Sequence, residues 1–453
     1  MRLLHTLDRV AVTFDDDHAV AAAGLMLTGT LAQHLGLENI IDDCVDLAGR
    51  PGAYRPGRKA MSLVHTMIAG GDCIDDADIL RTGSTATVVG HQVMAPSTLG
   101  TFLRSFTFGN VRQLDRASGL ALTAAWSAGA GPGASELTID IDSSICQVYG
   151  YQKQGAAYGY TKVLGYHPML AFRSDTGEVL HCRQRKGSAH TARGAQRFCR
   201  ETFARVRRAG GCGPIVLRAD SGYWSNKVIK ACADHGVRYS ITVRQTAAVR
   251  RAIATITTES DSWIIIRHPN PAHPVLHPGG PDHPDDDKTR IGQEAWVTET
   301  VLEKRRLIVR RTREETTDPT LFDIWRYHAF VTDRAGTPVD LDIDHRRHAV
   351  VELAIRDLKY GAGMNHNPTG RFPANSAWLV LNTVAHNLLR WTDRLGFDHH
   401  GPIVAKTFRR RYLNIAGRLT RSARKHTLHL PTRWPWAKPW ATALDRLRTI
   451  TLT

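Results

Sequence analysis

The sequence predicts an α/β fold in which a layered core of strands and helices follows a helical amino-terminal region and is interrupted by a β-rich insertion. Three observations carry that prediction. Apolar residues recur at three- and four-residue steps up to about residue 126, then switch to two-residue alternation beyond a glycine-rich break. Strand, helix, strand, helix order follows, which builds layered sheets rather than bundles. Between about Tyr239 and Asp333 only short β-rich runs occur, so an insertion divides the core.

The first region, 1–126, is read as helical from "AVAAAGLMLTGTLAQHLGL" and "RKAMSLVHTMIAGG", each closed by glycine. In "MAPSTLGTFLRSF", Ser97 or Thr98 can cap a short helix carrying Leu99, Phe102, Leu103 and Phe106. Such a helix packs into a core more often than it enters a DNA groove. "SAGAGPGASE", Ser127 to Glu136, is the linker.

The first part of the core, 136–238, opens with "LTIDIDSS", where Leu137, Ile139 and Ile141 alternate with Thr138, Asp140 and Asp142. The runs "ICQVYGYQKQGAAYGY" and "LGYHPMLAF" continue it as a meander with glycine turns. A helix, "AHTARGAQRFCRETFARVRRAGG", precedes the strand "GPIVLRAD" and a second helix, "SNKVIKACADHG", capped by Ser225 and stopped at Gly236. The insertion, 239–335, is read as a separate β domain around "PNPAHPVLHPGGPDHPDDD". Its His268, His273, His277 and His283 are spaced irregularly among prolines, which suits an exposed disordered loop better than a metal site. The core resumes over 336–396 with "IDHRRHAVVELAIRDLKYGAG" and the apolar helix "ANSAWLVLNTVAHNLLRW", expected to be buried in the α/β core. A basic region, 397–453, follows.

Charge selects the class of partner. The formal net charge is +16, and from Ile403 to Thr453 twelve Lys or Arg face a single acid, Asp445. Arg409, Arg410, Arg411, Arg421 and Arg424 lie in its densest part, ahead of Trp434, Trp436 and Trp440. Cations interleaved with aromatics neutralise phosphates and pack on bases or sugars, so a polyanionic partner is expected. The competing reading is a solvated helix face with a tryptophan-anchored tail. No apolar run approaches a membrane span, and the first residues lack a secretory pattern, so a cytoplasmic, nucleoid-associated location is expected. Seven cysteines without a Cys-x-x-Cys spacing support neither a disulfide framework nor a zinc ribbon.

Three acidic features point to chemistry. Asp140 and Asp142, two apart on a strand, share one face and lie about 6.6 Å apart along it. Asp220 ends an apolar strand at a Ser-Gly turn, where α/β sheets place ligand chemistry, with Arg218 beside it able to pair with that aspartate or meet a phosphate. In "HRRHAVVELAIRDLK", Val351, Ile355 and Leu358 form an apolar stripe, while His345, His348, Glu352, Arg356 and Lys359 recur on another face. Each alone reads as readily as a polar strand face, an Asx turn or a solvated helix. Together, two strand aspartates and a helix glutamate offer the hard oxygen ligands that hold two Mg²⁺ ions, or Mn²⁺, for in-line phosphoryl displacement.

These residues resemble the bacterial insertion-sequence transposases with a DDE catalytic triad on a ribonuclease-H-like fold, in the branch with a β-strand insertion before the glutamate. More narrowly they are similar to the insertion-sequence family numbered thirteen-eighty. The similarity runs through "MIAGGDCIDDADILR", "PSTLGTFLRSF", "IDIDSS", "GYHPMLAF", "LRADSGYW", "VELAIRDLKYG", "AWLVLNTVAHNLLRW", "RRRYLNIAGRL" and "LPTRWPW" in that order. The resemblance implies that Asp142, Asp220 and Glu352 bind the catalytic metals, with Asp140 as a further candidate. Asp142 is preferred because the family's aspartate precedes small hydroxyl residues, matched by Ser143 and Ser144. The branch carries Tyr seven and Arg four before the glutamate and Lys seven after it. Lys359 fits, whereas His345 and His348 stand in the Tyr and Arg positions, leaving Arg347 as a candidate phosphate contact beside His348, Arg356 and Lys359.

The resemblance further implies binding of terminal inverted repeats and target DNA by a homodimer, and strand transfer of a 3′ hydroxyl by cut and paste. Trp263, Trp296 and Trp325 are candidates to hold a displaced base at a hairpin intermediate. A catalytically silent DNA-binding derivative, or a nuclease of the same fold, is the alternative.

Overall fold

The computed structural model describes residues 7, 10–150, 152–256, 262–269, 292–313, 324–397, 399 and 401–451. The loop reading for His273, His277 and His283 lies outside them. Two compact units are formed, one from Met1–Gly131, Cys146–Ala156 and Arg356–Thr453, the other from Pro132–Ile145 and Ala157–Ile355.

The second unit is built on one nine-stranded sheet, whose strands we number in chain order: β1 Leu137–Ser143, β2 Met169–Arg173, β3 Val179–Arg183, β4 Ile215–Ala219, β5 Arg238–Thr242, β6 Ile264–Pro269, β7 Gly292–Leu302, β8 Arg305–Arg313 and β9 Trp325–Thr332. Their spatial order is β6-β7-β8-β9-β5-β4-β1-β2-β3. β1, β4 and β5 are parallel neighbours, whereas β2 pairs antiparallel with β1 and β3 with β2. This mixed core, 5-4-1-2-3, is the ribonuclease-H-like arrangement that the sequence resemblance implies. The predicted helices Ala195–Arg208 and Asn226–Asp234 form, the latter capped by the Ser225 side chain on the Val228 N–H. Its stop at Gly236 has φ +62°, which glycine adopts without strain.

The insertion corrects the sequence reading of a separate β domain. β9 hydrogen-bonds to β5, with Ser240 opposite Thr332, so its strands continue the core sheet. An open β5 edge supplies unpaired N–H and C=O groups that the inserted hairpins satisfy. One face of the extension is covered by the helix Pro338–Arg346, whose Leu341 packs with Val297, Ile308 and Phe330.

The first unit is helical. The 25-residue helix Phe372–Gly396 is buried along most of its length and packs on Pro56–Ala69 and Phe108–Ala125, rather than in the α/β core as expected. Helices from both ends of the chain thus share one core. Helix Pro96–Arg104 starts with Pro96 at its first turn and Ala95 at its N-cap, so neither Ser97 nor Thr98 caps it. Its Leu99, Phe102 and Leu103 are wholly buried, which makes it a packing helix. Phe108–Ala125, opened by a Thr107–Asn110 capping box, has an S/T-x-x-polar signal that the sequence reading passed over. Within the described residues no helix is long and apolar enough to cross a membrane, and no disulfide joins any of the seven cysteines.

Candidate active site

The register of two parallel strands sets the site. Asp140 stands opposite Arg218 and Ile141 opposite Ala219, so Asp142 and Asp220 take the next step at the carboxyl ends of adjacent strands, roughly 4.8 Å apart. Asp220 stays at the strand end because its Oδ1 accepts the Gly222 N–H, 3.0 Å, in the turn that follows. Glu352 lies exposed in the first turn of the helix Val350–Gly361. Val351, Ile355 and Leu358 bury the opposite stripe, as their spacing predicts.

Asp142 senses both partners. Burial, and then the negative charges of Asp220 and Glu352, push its carboxyl up to about 6, against the pull of the Ser143 N–H and of His348. Mutual repulsion of clustered carboxylates is the condition that a bound cation relieves. Among the described residues, the ligand atoms of Asp142, Asp220 and Glu352 do not all come within 4.8 Å of one another. The described group that does meet that limit, Asp72, Cys73 and Asp76, is a turn in which the Asp76 carboxylate accepts the Asp72 and Cys73 N–H groups.

Asp140 plays another part. Arg218 donates to both of its oxygens, 2.8 and 2.9 Å, and His348 Nδ1 lies 2.8 Å from Oδ1. Burial alone would raise its pKa, but the hydrogen bonds from His348 and Arg218 hold it below the ordinary value. Both of its oxygens are engaged by Arg218, and Oδ1 by His348 as well. Arg218 pairs with Asp140 rather than Asp220 because the cross-strand register, not sequence adjacency, brings the guanidinium to its partner. Arg218 also donates to the Asp344 carbonyl, 2.6 Å, which ties the segment before Glu352 to the sheet.

The segment leading to Glu352 is not one helix. Pro338–Arg346 ends in a tight 3₁₀ turn, Arg347–Ala349, before Val350–Gly361 begins. His345 therefore does not share the exposed face of Glu352. It is buried, with Nδ1 2.8 Å from Ser240 Oγ and Nε2 2.9 Å from Thr242 Oγ1, and its ring stacks on Phe330. Burial and the surrounding imidazoles and guanidiniums lower its pKa well below the usual histidine value. A cavity of about 650 Å³ opens beside Glu352, lined in part by Arg310, His328, Arg346, Arg347 and His348. The buried Asp342 carboxylate pairs with Arg310 and Arg346, 2.8 and 2.9 Å. Arg347 is exposed and makes no ion pair among the described residues. Arg356 is exposed on the helix of Glu352 and Lys359 half-buried.

The three tryptophans converge elsewhere. Arg311 lies 4.1 Å from the centroid of the Trp263 ring and 4.2 Å from that of Trp325, and Trp296 meets Trp325 edge-on at 4.8 Å. Successive strand residues point to opposite faces, so Arg310 in the cavity and Arg311 in the aromatic cluster look in opposite directions. Trp263, Trp296 and Trp325 therefore face away from the Glu352 cavity, with the Arg311 guanidinium over the rings of Trp263 and Trp325.

The sequence matches the family model described as transposase DDE domain group 1 over residues 4–452. The chain belongs to that family. Among solved structures it is similar to piggyBac transposase in a cryo-EM synaptic complex with hairpin DNA, at 12% identity and TM-score 0.45, covering 86% of this chain and 79% of that one. No curated protein matches it.

In this DDE transposase the basic carboxyl-terminal segment has two kinds of arginine. Arg409 is buried, and its guanidinium donates to the carbonyls of Ile68, Met67 and Gly361, the first two at 2.5 and 2.7 Å. It clamps these carbonyls together inside the helical unit. Arg410 is exposed and Arg411 half-buried, while Arg421 and Arg424 are exposed on or at the turn of an antiparallel hairpin, Gly417–Ser422 with Lys425–His429. Trp434 and Trp440 donate their indole N–H groups to the Arg411 and Tyr412 carbonyls, so they anchor the tail.

Proposed function

We propose that this transposase cuts DNA at the ends of its element and joins the freed 3′ hydroxyl to target DNA by cut and paste, acting as a homodimer on terminal inverted repeats. The observation that carries the reading is the placement of Asp142 and Asp220 at the ends of adjacent parallel strands, with Glu352 in electrostatic reach of Asp142. Two Mg²⁺ or Mn²⁺ ions held by Asp142, Asp220 and Glu352 would supply activation of the attacking oxygen and charge neutralisation at the leaving oxygen. The remaining work belongs to the chain. Asp220, fixed by its own turn, presents a carboxylate at a rigid strand end. Asp140 and Arg218 hold His348 in place beside Asp142, and Arg347 extends a cation into the cavity next to Glu352, where a phosphate oxygen would be met. Arg410, Arg421 and Arg424 give the exposed charge for backbone contacts away from the site.

Asp220→Asn tests this. Cleavage of end DNA with Mg²⁺ should disappear while binding to the same DNA stays intact, and undiminished cleavage would remove the assignment.

A further inference from the structure

We infer that the hairpin Ala157–Tyr158 with Leu164–Tyr166 is a stacking platform for unpaired nucleotides of the DNA strand that leaves the active site. Tyr158 and Tyr160 are 57% and 77% exposed. Lys162 on the same turn and Lys186 on the adjoining loop are exposed as well. Rings flanked by ammonium groups are the surface that single-stranded nucleic acid selects, the rings taking base faces and the cations the phosphates.

The platform is built rather than incidental. A Cβ on Gly187 would stand 2.1 Å from the Gly165 carbonyl oxygen and 2.2 Å from that of Ala157, and one on Gly159 would stand 2.7 Å from the Gly187 oxygen. Only glycine lets the loop that carries Lys186 lie backbone to backbone against the tyrosine hairpin. Tyr166 and Lys186 complete the contact with a β-bridge.

The platform is also continuous with the site. The Tyr160 ring lies 5.9 Å from that of His167, and His167 Nε2 is 2.9 Å from Ser143 Oγ. Ser143 in turn donates its N–H to Asp142 Oδ1, 2.6 Å. The buried His167 thus ties the hairpin, through Tyr160, to the strand that carries Asp142. Duplex DNA is the poorer occupant, because paired bases keep their faces stacked on one another and offer an exposed ring nothing to cover. The location of the platform beside a cutting site rests on the proposed function, whereas its ligand class rests on the rings and cations alone.

The test uses the full chain without divalent metal, binding labelled oligothymidylate of twelve nucleotides and, separately, a mixed-sequence duplex of twelve base pairs. Tyr158→Ala with Tyr160→Ala should weaken oligothymidylate binding about tenfold or more while duplex affinity changes less than about twofold. Tyr158→Phe with Tyr160→Phe, which keeps both rings, should bind as the parent does. Unchanged oligothymidylate affinity in the alanine variant, or an equal loss on both probes, overturns the proposal; unaltered circular dichroism and melting confirm that the variant is folded. Failure of metal-dependent cleavage would count against the catalytic reading and leave this comparison untouched.

Discussion

Asp140 and Arg218 face each other across two parallel strands and share two hydrogen bonds, with both side chains almost wholly buried. Two residues further along β1, Asp142 makes no ion pair among the described residues and carries a raised pKa. Neighbouring aspartates on one face thus have opposite electrostatic fates, and substitution should separate them.

Asp140→Asn should lower the stability of the sheet unit by about 3–5 kcal/mol, because the Arg218 charge is left buried without its counter-ion. Denaturant unfolding measures this. A loss below about 1 kcal/mol would show that the buried pair contributes little to stability.

Asp142→Asn should do the reverse at neutral pH without metal. A carboxyl whose folded pKa of about 6 exceeds its unfolded value gives stability that is complete at low pH and lost as pH rises through 6. The metal-free parent should therefore melt higher at pH 5 than at pH 7, with at most about 3 kcal/mol at stake. The asparagine variant should flatten that dependence, and added Mg²⁺ should remove it from the parent.

His65 predicts an acid-labile helical unit. It is buried in helix Pro56–Ala69, with Nδ1 3.0 Å from His91 Nε2, and burial followed by the His91 charge lowers its pKa to about 3. A histidine with a depressed folded pKa stabilises fully above its unfolded value near 6.5, and that stability is lost as pH falls toward 3. Roughly 4–5 kcal/mol should go in that window, and His65→Leu should shrink the loss. Helical ellipticity followed from pH 7 to pH 3 would decide it.

The carboxyl-terminal arginines should divide in the same assay. Arg409→Ala strands three carbonyl groups and should cost about 2–3 kcal/mol of stability. Arg421→Ala and Arg424→Ala should leave melting unchanged but weaken duplex binding, and reduce its salt slope by about 0.9 for each phosphate that no longer meets an arginine. An unaltered slope would take the hairpin out of the DNA interface.

What could be read from the sequence was what depends on local pattern. Two-residue alternation placed Ile139 and Ile141 in the core and both aspartates on the other face, and helical spacing placed Val351, Ile355 and Leu358 inward, all as observed. What could not be read depends on which strand neighbours which. Arg218 sits 78 residues from Asp140, and nothing local to either announces that β4 lies beside β1 in this register. The same holds for the tryptophans: aromatic content is visible in the sequence, but the face they occupy follows from the β7, β8 and β9 register. The start of Pro338–Arg346 was missed although Thr337 caps it and Pro338 opens it, a signal that was there to find.

Helix Phe372–Gly396 completes a core begun by Pro56–Ala69 and Phe108–Ala125. On the ribosome those early helices leave the exit tunnel about 250 to 300 residues before their partner does. At roughly 5–20 residues per second their apolar faces wait some tens of seconds in need of a chaperone or of each other. A message broken anywhere in that interval yields a chain that never closes its helical core, so damaged copies of the gene should be cleared as misfolded protein rather than persist as competitors for DNA.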